Sequence, residues 1–375
     1  MTVGIIGAGA MGSGMVQVAA TAGHEVRLYD ISRDALNKAL EGITQSISKF
    51  VTKGAMTPEE AKAIEGRIYL CEKLETLGDC GLIVEAVIED IEVKKKLFST
   101  LEALVRDDAI LATNTSSLSV TSIASSLSKP ERFIGIHFFN PPVLMKLVEV
   151  IPALQTAPHI TSACCEIISA WGKEVVLARD TPGFIVNKVA RPYYSEAIRI
   201  LEEGIAEKED IDAAMTAEGF RMGPFALMDF IGHDVNYRVT ESVWKGYYYD
   251  PKYRPSFTQL RLLEAGWYGR KSGKGFYTYP MEAMASAATS SSGSIFLRIF
   301  SMLVNEAADT VGTGICTAED VEKAVKLGLN YPEGLLTWGQ KQGYGSLVKQ
   351  LDDLYDTYHE ERYRVCRYLR QLAKN

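Results

Sequence analysis

VGIIGAGAMGSGMVQVAATAGHEVRLYD, residues 3–30, decides the fold. Val3 to Ile6 is a short β-branched run, glycines follow at 7, 9 and 12, and a helical pattern then runs to about Ala22. HEVRLYD, ending on Asp30, has the composition of a second strand. Strand, G-x-G-x-x-G, helix, strand and acid is the order of a dinucleotide-binding βαβ unit. Gly7 permits the tight turn, Gly9 lets the backbone approach a pyrophosphate, and Gly12 allows helix and strand to pack closely. Free N–H groups at the helix start supply the anion site, which puts Gly7, Gly9, Ala10, Met11 and Gly12 around the cofactor. Asp30 stands 18 residues beyond Gly12, near the roughly 20 expected of an acid that accepts from the ribose hydroxyls. Its charge would repel a 2′-phosphate, and only Arg33 nearby could soften that, so NAD is expected over NADP.

Working outward, GLIVEAVIED (81–90) is expected as a strand that emerges at Glu85 and Glu89. AILATNTSS (109–117) leads into the polar turn Asn114–Ser117, and RFIGIHFFN (132–140) is the next strand. In a doubly wound sheet, ligands bind beyond the carboxyl ends of the strands. Glu89, Asn114, Ser116, His137 and Asn140 all fall at such ends. A lone histidine in an apolar strand is ordinarily a satisfied core residue; at a strand end beside a nucleotide site it becomes a candidate catalyst. Glu149 is the single carboxylate of the following apolar strand, KLVEV. Ser116 and Asn140 taken alone suit turns and caps equally well.

The chain of 375 residues has room for two or three domains. A formal charge of −7 shows no basic footprint for nucleic acid, and no apolar run reaches the ~18 residues of a membrane span. The opening MTVGIIGAGAMG lacks a basic n-region and a cleavage site. Six cysteines without C-x-x-C spacing and five histidines without a cluster support neither a disulfide framework nor a metal site. A reduced, cytoplasmic setting is expected.

Pro182-Gly183 marks a junction to a helical half, with the periodic stretch from Phe184 as its first helix and KEDIDAAM as a helix start with acids in the first turn. MEAMASAATSSSGS (281–294) has the composition of a linker. Beyond it the pattern returns: Glu196, Ile205, Asp210, Ile211 and Ala214 recur 110 residues later as Glu306, Ile315, Asp320, Val321 and Ala324. The expected plan is an α/β Rossmann-type doubly wound sheet over 1–183, a helical domain over 184–280, the linker, and a repeated helical domain over 295–375.

With GAGAMGSG, VEAVIED, NTSSLSVTSIA, GIHFFNPPVLMKLVEV, DTPGFIVNKV and GRKSGKGFYTY in order from residue 4 to 279, the sequence resembles the (S)-3-hydroxyacyl-CoA dehydrogenase family. That resemblance implies a Rossmann-type domain followed by helices of the 6-phosphogluconate dehydrogenase C-terminal type, with the active site in the cleft between them. It implies His137 as the catalytic histidine, Glu149 as its partner, Ser116 beside substrate and nicotinamide, and Asn187 on the reacting oxygen. Asp30, Glu89, Lys94, Asn114, Ser116, Asn140 and Lys274 match cofactor positions; Lys49 and Lys53 match, more loosely, residues that hold the CoA moiety. The tandem helical half is similar to 3-hydroxyadipyl-CoA dehydrogenases, although Ala226 replaces the glutamate usual in GPFELMD. A second copy could occupy the surface used for dimerisation in single-copy relatives, so both monomer and homodimer are open. Arg191, Arg221 and Lys271 are candidates for a dicarboxyl-CoA tail, with surface charge the plainer reading of each.

The chemistry asks for such groups independently. Oxidising a secondary alcohol requires a base for the hydroxyl proton, and histidine suits because its ordinary pKa lies near neutrality. A carboxylate behind the ring fixes the tautomer and stabilises the imidazolium. Two other readings remain: a free 3-hydroxy-acid dehydrogenase, whose Lys-x-x-x-Asn pair would require lysine where Gly183 stands, and a nucleotide-binding relative without activity.

Overall fold

The β-branched run after Met1 becomes a central strand of an eight-stranded sheet. The computed structural model describes residues 1–280 and 292–374, and the chain divides into two units, Met1–Asp180 and Thr181–Asn375. In the first unit the strands are β1 (Thr2–Ile6), β2 (Glu25–Tyr29), β3 (Ile68–Cys71), β4 (Leu82–Glu85), β5 (Ile110–Thr113), β6 (Phe133–Phe138), β7 (Leu147–Pro152) and β8 (Glu174–Leu177). Their order is β3-β2-β1-β4-β5-β6-β7-β8. The first six are parallel, β7 runs antiparallel to β6, and β8 runs parallel to β7. Helices α1 (Ala10–Thr21), α2 (Arg33–Thr52), α3 (Pro58–Glu65), α4 (Ile91–Glu102), α5 (Val120–Ala124) and α6 (Pro158–Ala170) connect them. All of β4 and β5 is buried, which is why these strands read as apolar runs and not as alternation. The chain reverses direction across the sheet between β1 and β4, and that switch point is where such folds open a ligand crevice.

The strand expected over residues 81–90 is shorter than its apolar run. It ends at Glu85, which is fully buried and does not emerge. Asp90 caps α4 by accepting from Glu92 and Val93, so residues 86–90 form a turn.

The second unit is helical: α7 (Val186–Val189), α8 (Arg191–Glu202), α9 (Lys208–Ala217), α10 (Pro224–Ile231), α11 (His233–Gly246) and α12 (Phe257–Glu264), followed by α13 (Ser292–Gly312), α14 (Ala318–Gly328), α15 (Leu335–Gln342), α16 (Tyr344–Tyr358) and α17 (Arg367–Leu372). Of the expected linker, residues 281–291 lie outside the described residues, and Ser292 already belongs to α13. The single first helix expected from Phe184 is two helices. Pro192 lacks the N–H that would bond the Lys188 carbonyl, and its ring crowds that carbonyl, so the helix restarts at Arg191. Met302 stands at the equivalent place in the repeat, and α13 runs unbroken for 21 residues.

The two helical copies meet through a reciprocal network. Lys188 pairs with Glu306, and Arg298, 110 residues further on, pairs with Glu196 at 2.6 Å. The Tyr253 hydroxyl donates to Glu306 at 2.6 Å, and that of Tyr363 donates to Glu196 at 2.8 Å. Lys252 lies 2.5 Å from Glu306 and Arg362 lies 3.8 Å from Glu196. These three pairs of contacts cross from one copy to the other, each with its mirror image, the signature of an isologous interface built inside one chain.

Candidate active site

His137 and Glu149 face each other as a register pair of the antiparallel strands β6 and β7. Side chains of directly opposed residues leave the same face of a sheet, so the pairing itself brings imidazole and carboxylate together. Nδ1 of His137 is 2.7 Å from Oε2 of Glu149, and both side chains are buried. Phe139 packs its ring 4.5 Å from the imidazole. One turn away in the sheet, Asn114 at the end of β5 accepts from the Phe138 N–H at 2.8 Å, tying the strand end beside His137 to the next loop.

A second cluster forms where β4 and β5 end. Glu85 accepts from the Lys94 ammonium at 2.5 Å, from the Val87 N–H at 2.7 Å and from the Thr113 hydroxyl at 2.8 Å. Lys94, almost wholly buried, also lies 3.3 Å from Glu89. Glu89 accepts from Thr115 Oγ1 at 2.6 Å, from the Ser116 N–H at 2.9 Å, and from the Ser116 and Ser117 hydroxyls at 3.3 and 3.2 Å. Desolvation raises the Glu89 carboxyl, but the Lys94 charge and the Thr115 and Ser116 donors outweigh it, so the group is held below its ordinary pKa. The Asn114–Ser117 turn is therefore shaped by Glu89, with Lys94 beneath. Glu85 anchors that lysine, and Thr113, which no motif singled out, donates to Glu85.

The glycine-rich turn fits a dinucleotide. Gly7 has a φ of 104°, and a Cβ there would meet the Ala86 carbonyl at 2.6 Å; a Cβ on Gly12 would sit 1.8 Å from the Gly7 oxygen. Gly9 has nothing within 4 Å of a built Cβ, so the turn is open there, and α1 starts without a side-chain cap. Ala10 and Met11 begin that helix. Asp30 accepts from the Ala8 and Ser32 N–H groups at 2.8 and 2.9 Å, which aims its carboxylate across the turn. Arg33 is engaged by Glu72 at 2.5 Å, leaving the acid at Asp30 unsoftened.

Asn140 is exposed beyond β6. Lys49 sits in the last turn of α2 and Lys53 is its C-cap, both exposed. Asn187 and Lys274 belong to the helical unit: Asn187 lies on α7, its carbonyl accepting from Arg191, and the Lys274 ammonium lies 3.7 Å from the centre of the Trp267 ring. Arg191 is not a surface charge. It is buried, bonded to Asn187 and Thr240, and packed over Tyr194. Lys271 pairs with Asp234, and Arg221 is exposed.

Two distant motifs prove to be one knot. Asp229, in GPFALMD, accepts from the Phe276 and Tyr277 N–H groups at 2.9 Å, from the Tyr279 hydroxyl at 3.0 Å, and contacts His233 Nε2 at 2.7 Å. A Cβ on Gly269 or Gly275 would strike this aspartate at 2.2 or 2.1 Å, so the glycines of GRKSGKGFYTY let that loop wrap the carboxylate. Ala226 is part of a similar cap: its N–H and that of Phe225 donate to Asp212. The absent glutamate leaves this helix start intact.

Residues 2–181 match the family model described as 3-hydroxyacyl-CoA dehydrogenase, NAD binding domain, and residues 183–279 and 293–375 match 3-hydroxyacyl-CoA dehydrogenase, C-terminal domain. The chain belongs to the 3-hydroxyacyl-CoA dehydrogenase family. It is an NAD-dependent oxidoreductase. It is 36% identical to a 3-hydroxyadipyl-CoA dehydrogenase of Escherichia coli K12, with 99% of this chain and 97% of that one covered. It is 43% identical to a 3-hydroxybutyryl-CoA dehydrogenase of Bradyrhizobium diazoefficiens over 74% of this chain and 94% of the relative. A crystal structure described as 3-hydroxybutyryl-CoA dehydrogenase from Escherichia coli K12 superposes with a TM-score of 0.96 at 36% identity, covering 100% of this chain and 98% of that one. Among the described residues, no helix is long and apolar enough to cross a membrane.

Proposed function

We propose that the protein oxidises (S)-3-hydroxyacyl-CoA to 3-oxoacyl-CoA reversibly, with His137 as the general base and Glu149 as the residue that orients it. The observation that carries this reading is the 2.7 Å contact between His137 Nδ1 and Glu149 Oε2 in a buried register pair. With Nδ1–H held by the carboxylate, Nε2 is left as the basic nitrogen and takes the hydroxyl proton. As the imidazolium forms, the buried carboxylate stabilises its charge. In the reverse direction the same nitrogen returns the proton to the carbonyl oxygen. NAD bound at the glycine-rich turn supplies the hydride chemistry. Gly7, Gly9, Ala10, Met11 and Gly12 hold its pyrophosphate, Asp30 its ribose, and Glu89, Lys94, Asn114, Asn140 and Lys274 complete its site. Ser116 and Asn187 polarise the reacting oxygen, and Lys49 and Lys53 hold the CoA moiety. The whole-length similarity to a 3-hydroxyadipyl-CoA dehydrogenase favours a dicarboxyl-CoA as one substrate, in a cytoplasmic enzyme that is a monomer or homodimer, with 1–183 as its NAD-binding part.

The test is NADH oxidation with acetoacetyl-CoA beside 3-oxoadipyl-CoA, with NADPH controls, on wild type and His137→Ala. Turnover with NADH that collapses in the variant supports the reading, and the ratio between substrates decides the acyl class. NADH binding without turnover of any 3-oxoacyl-CoA overturns it.

A further inference from the structure

The helical unit carries an open-mouthed cavity of about 430 Å³, a size typical of small-molecule sites. It lies in the first copy, against α8, α11 and the start of α12, with Arg362 from the second copy in its wall.

Comparing the copies shows why the space exists. In the second copy Asn305 seals helix to turn: its amide donates to the Arg364 carbonyl at 3.0 Å and accepts from the Cys366 N–H at 2.8 Å. The residue 110 positions earlier is Ser195, whose short hydroxyl bonds back to the Arg191 carbonyl of its own helix at 3.1 Å. Where the second copy packs Gly312 against Tyr368, the first has Glu202 and Thr258, which bond each other at 2.6 Å. The second copy is closed at this point and the first is hollow.

The hollow presents one buried donor that lacks an acceptor. Trp244 Nε1–H is buried without a hydrogen bond. The guanidiniums of Arg199 and Arg362 stand in the same wall, ion-paired with Glu203 and Glu360 at 2.9 and 3.0 Å. Arg362 is only 7% exposed. A buried donor left unpaired costs about 1–3 kcal/mol, so a ligand that brings acceptors is favoured. Arg254 adds an exposed guanidinium with no ion pair among the described residues. Phe257, 79% exposed, and Leu260 supply apolar wall where the second copy has Arg367 and Arg370. Tyr249 packs edge-on against Trp244 at 5.0 Å while both it and Tyr248 hold left-handed φ values of 65° and 53°. His359, 110 positions beyond Tyr249, holds a φ of 51° as well, so part of this strain is common to both copies.

We propose that the cavity binds a small organic carboxylate, its head on Arg254, Trp244 Nε1 and the Arg362 edge, its apolar body against Phe257 and Leu260. Glu202, the carboxylate of the same wall, is already engaged by Thr258, and the apolar wall disfavours a bare inorganic anion.

Isothermal titration of the full-length protein with hexanoate, benzoate and adipate tests this, with inorganic phosphate and hexan-1-ol as controls. The variants are Ser195→Asn, which installs the residue that closes the second copy, Arg254→Gln, and Trp244→Phe, which removes a single buried donor. At least one carboxylate saturates near 1 mM or below, about −4 kcal/mol. Its affinity drops about tenfold or more in Ser195→Asn and Arg254→Gln, with melting temperatures and turnover unchanged. No saturation by any of the three overturns the proposal. So does undiminished binding in all three variants, or phosphate or hexanol binding as tightly as the carboxylates. Should Ser195→Asn fold poorly, Arg254→Gln and Trp244→Phe decide.

Discussion

Replacing Glu149 with glutamine tests the catalytic pair most directly. The carboxylate is fully buried and its Oε2 sits 2.7 Å from His137 Nδ1, so an isosteric amide keeps the packing and removes the charge. A hydrogen bond to a charged partner contributes about 1.5–3 kcal/mol, and here it matters most when the imidazolium forms. If the glutamine oxygen still accepts from Nδ1–H, the tautomer survives and kcat falls about 10- to 150-fold, that energy at about 1.4 kcal/mol per decade. If the amide NH2 donates to Nδ1, the proton moves to Nε2 and the base is blocked; the loss then approaches the ~10⁴ seen when a catalytic triad loses its tautomer. Both arms leave NADH affinity near wild type, because the glycine-rich turn lies on another part of the sheet. The assay is kcat and KM in both directions across pH 5–10, with NADH binding measured separately. A Glu149→Gln enzyme within threefold of wild-type kcat at every pH refutes the pairing as catalytic and returns His137 to the core.

Gly9→Ala folds with wild-type stability and weakens NADH binding, since its Cβ meets only open space; Gly12→Ala, with a Cβ 1.8 Å from the Gly7 oxygen, lowers the melting temperature, as calorimetry checks. Lys188→Ala removes one of the two cations on the fully buried Glu306, Lys252 remaining, and costs about 1.5–3 kcal/mol in urea unfolding of the helical unit. Asp212 has its pKa pushed up to about 6 by burial, against the ordinary 3.8, despite the Phe225, Ala226 and Tyr277 donors. An acid raised on folding binds more protons in the folded state, so this stability is full below about pH 4 and is lost as pH rises through 6. The loss is about 3 kcal/mol at most, at 1.36 kcal/mol per unit, and urea midpoints at pH 5 and 7 compared with those of Asp212→Asn read it.

The βαβ start was legible because its glycines serve backbone geometry that few other residues can meet, and the histidine–glutamate pair through the family resemblance and the need of a base for an orienting carboxylate; the antiparallel register that joins the two was not. Arg191 was misread: a cation four residues beyond Asn187 says nothing about whether Tyr194 and Thr240 enclose it. Glu85 and Lys94 were each singled out, but their pairing was hidden for a similar reason, since a buried ion pair between a strand end and a helix looks like two ordinary surface charges in a list of residues. The Asp229 knot joins segments about 47 residues apart, and no local periodicity connects an aspartate to the glycines that make room for it.

The repeat shows the same limit and its reward. The 110-residue offset announces two copies, but an offset cannot say which residues of one copy face which of the other. The reciprocity comes from burial: Glu196 and Glu306 are both fully buried, and an unpaired carboxylate there would be far more costly than the cation that neutralises it. Each copy therefore needs the lysine or arginine of the other. What must be kept across the copies is charge and reach, not identity, which is why Lys188 answers to Arg298 and Lys252 to Arg362. Positions at the margin of the network carry no such constraint. Ser195 and Asn305 lie one residue before the two glutamates on the same helices, yet one closes its surroundings and the other leaves a cavity. An interface that binds its copies through a few obligatory charges leaves the space beside them free to diverge, and that is where a duplicated domain can acquire a ligand that its twin cannot hold.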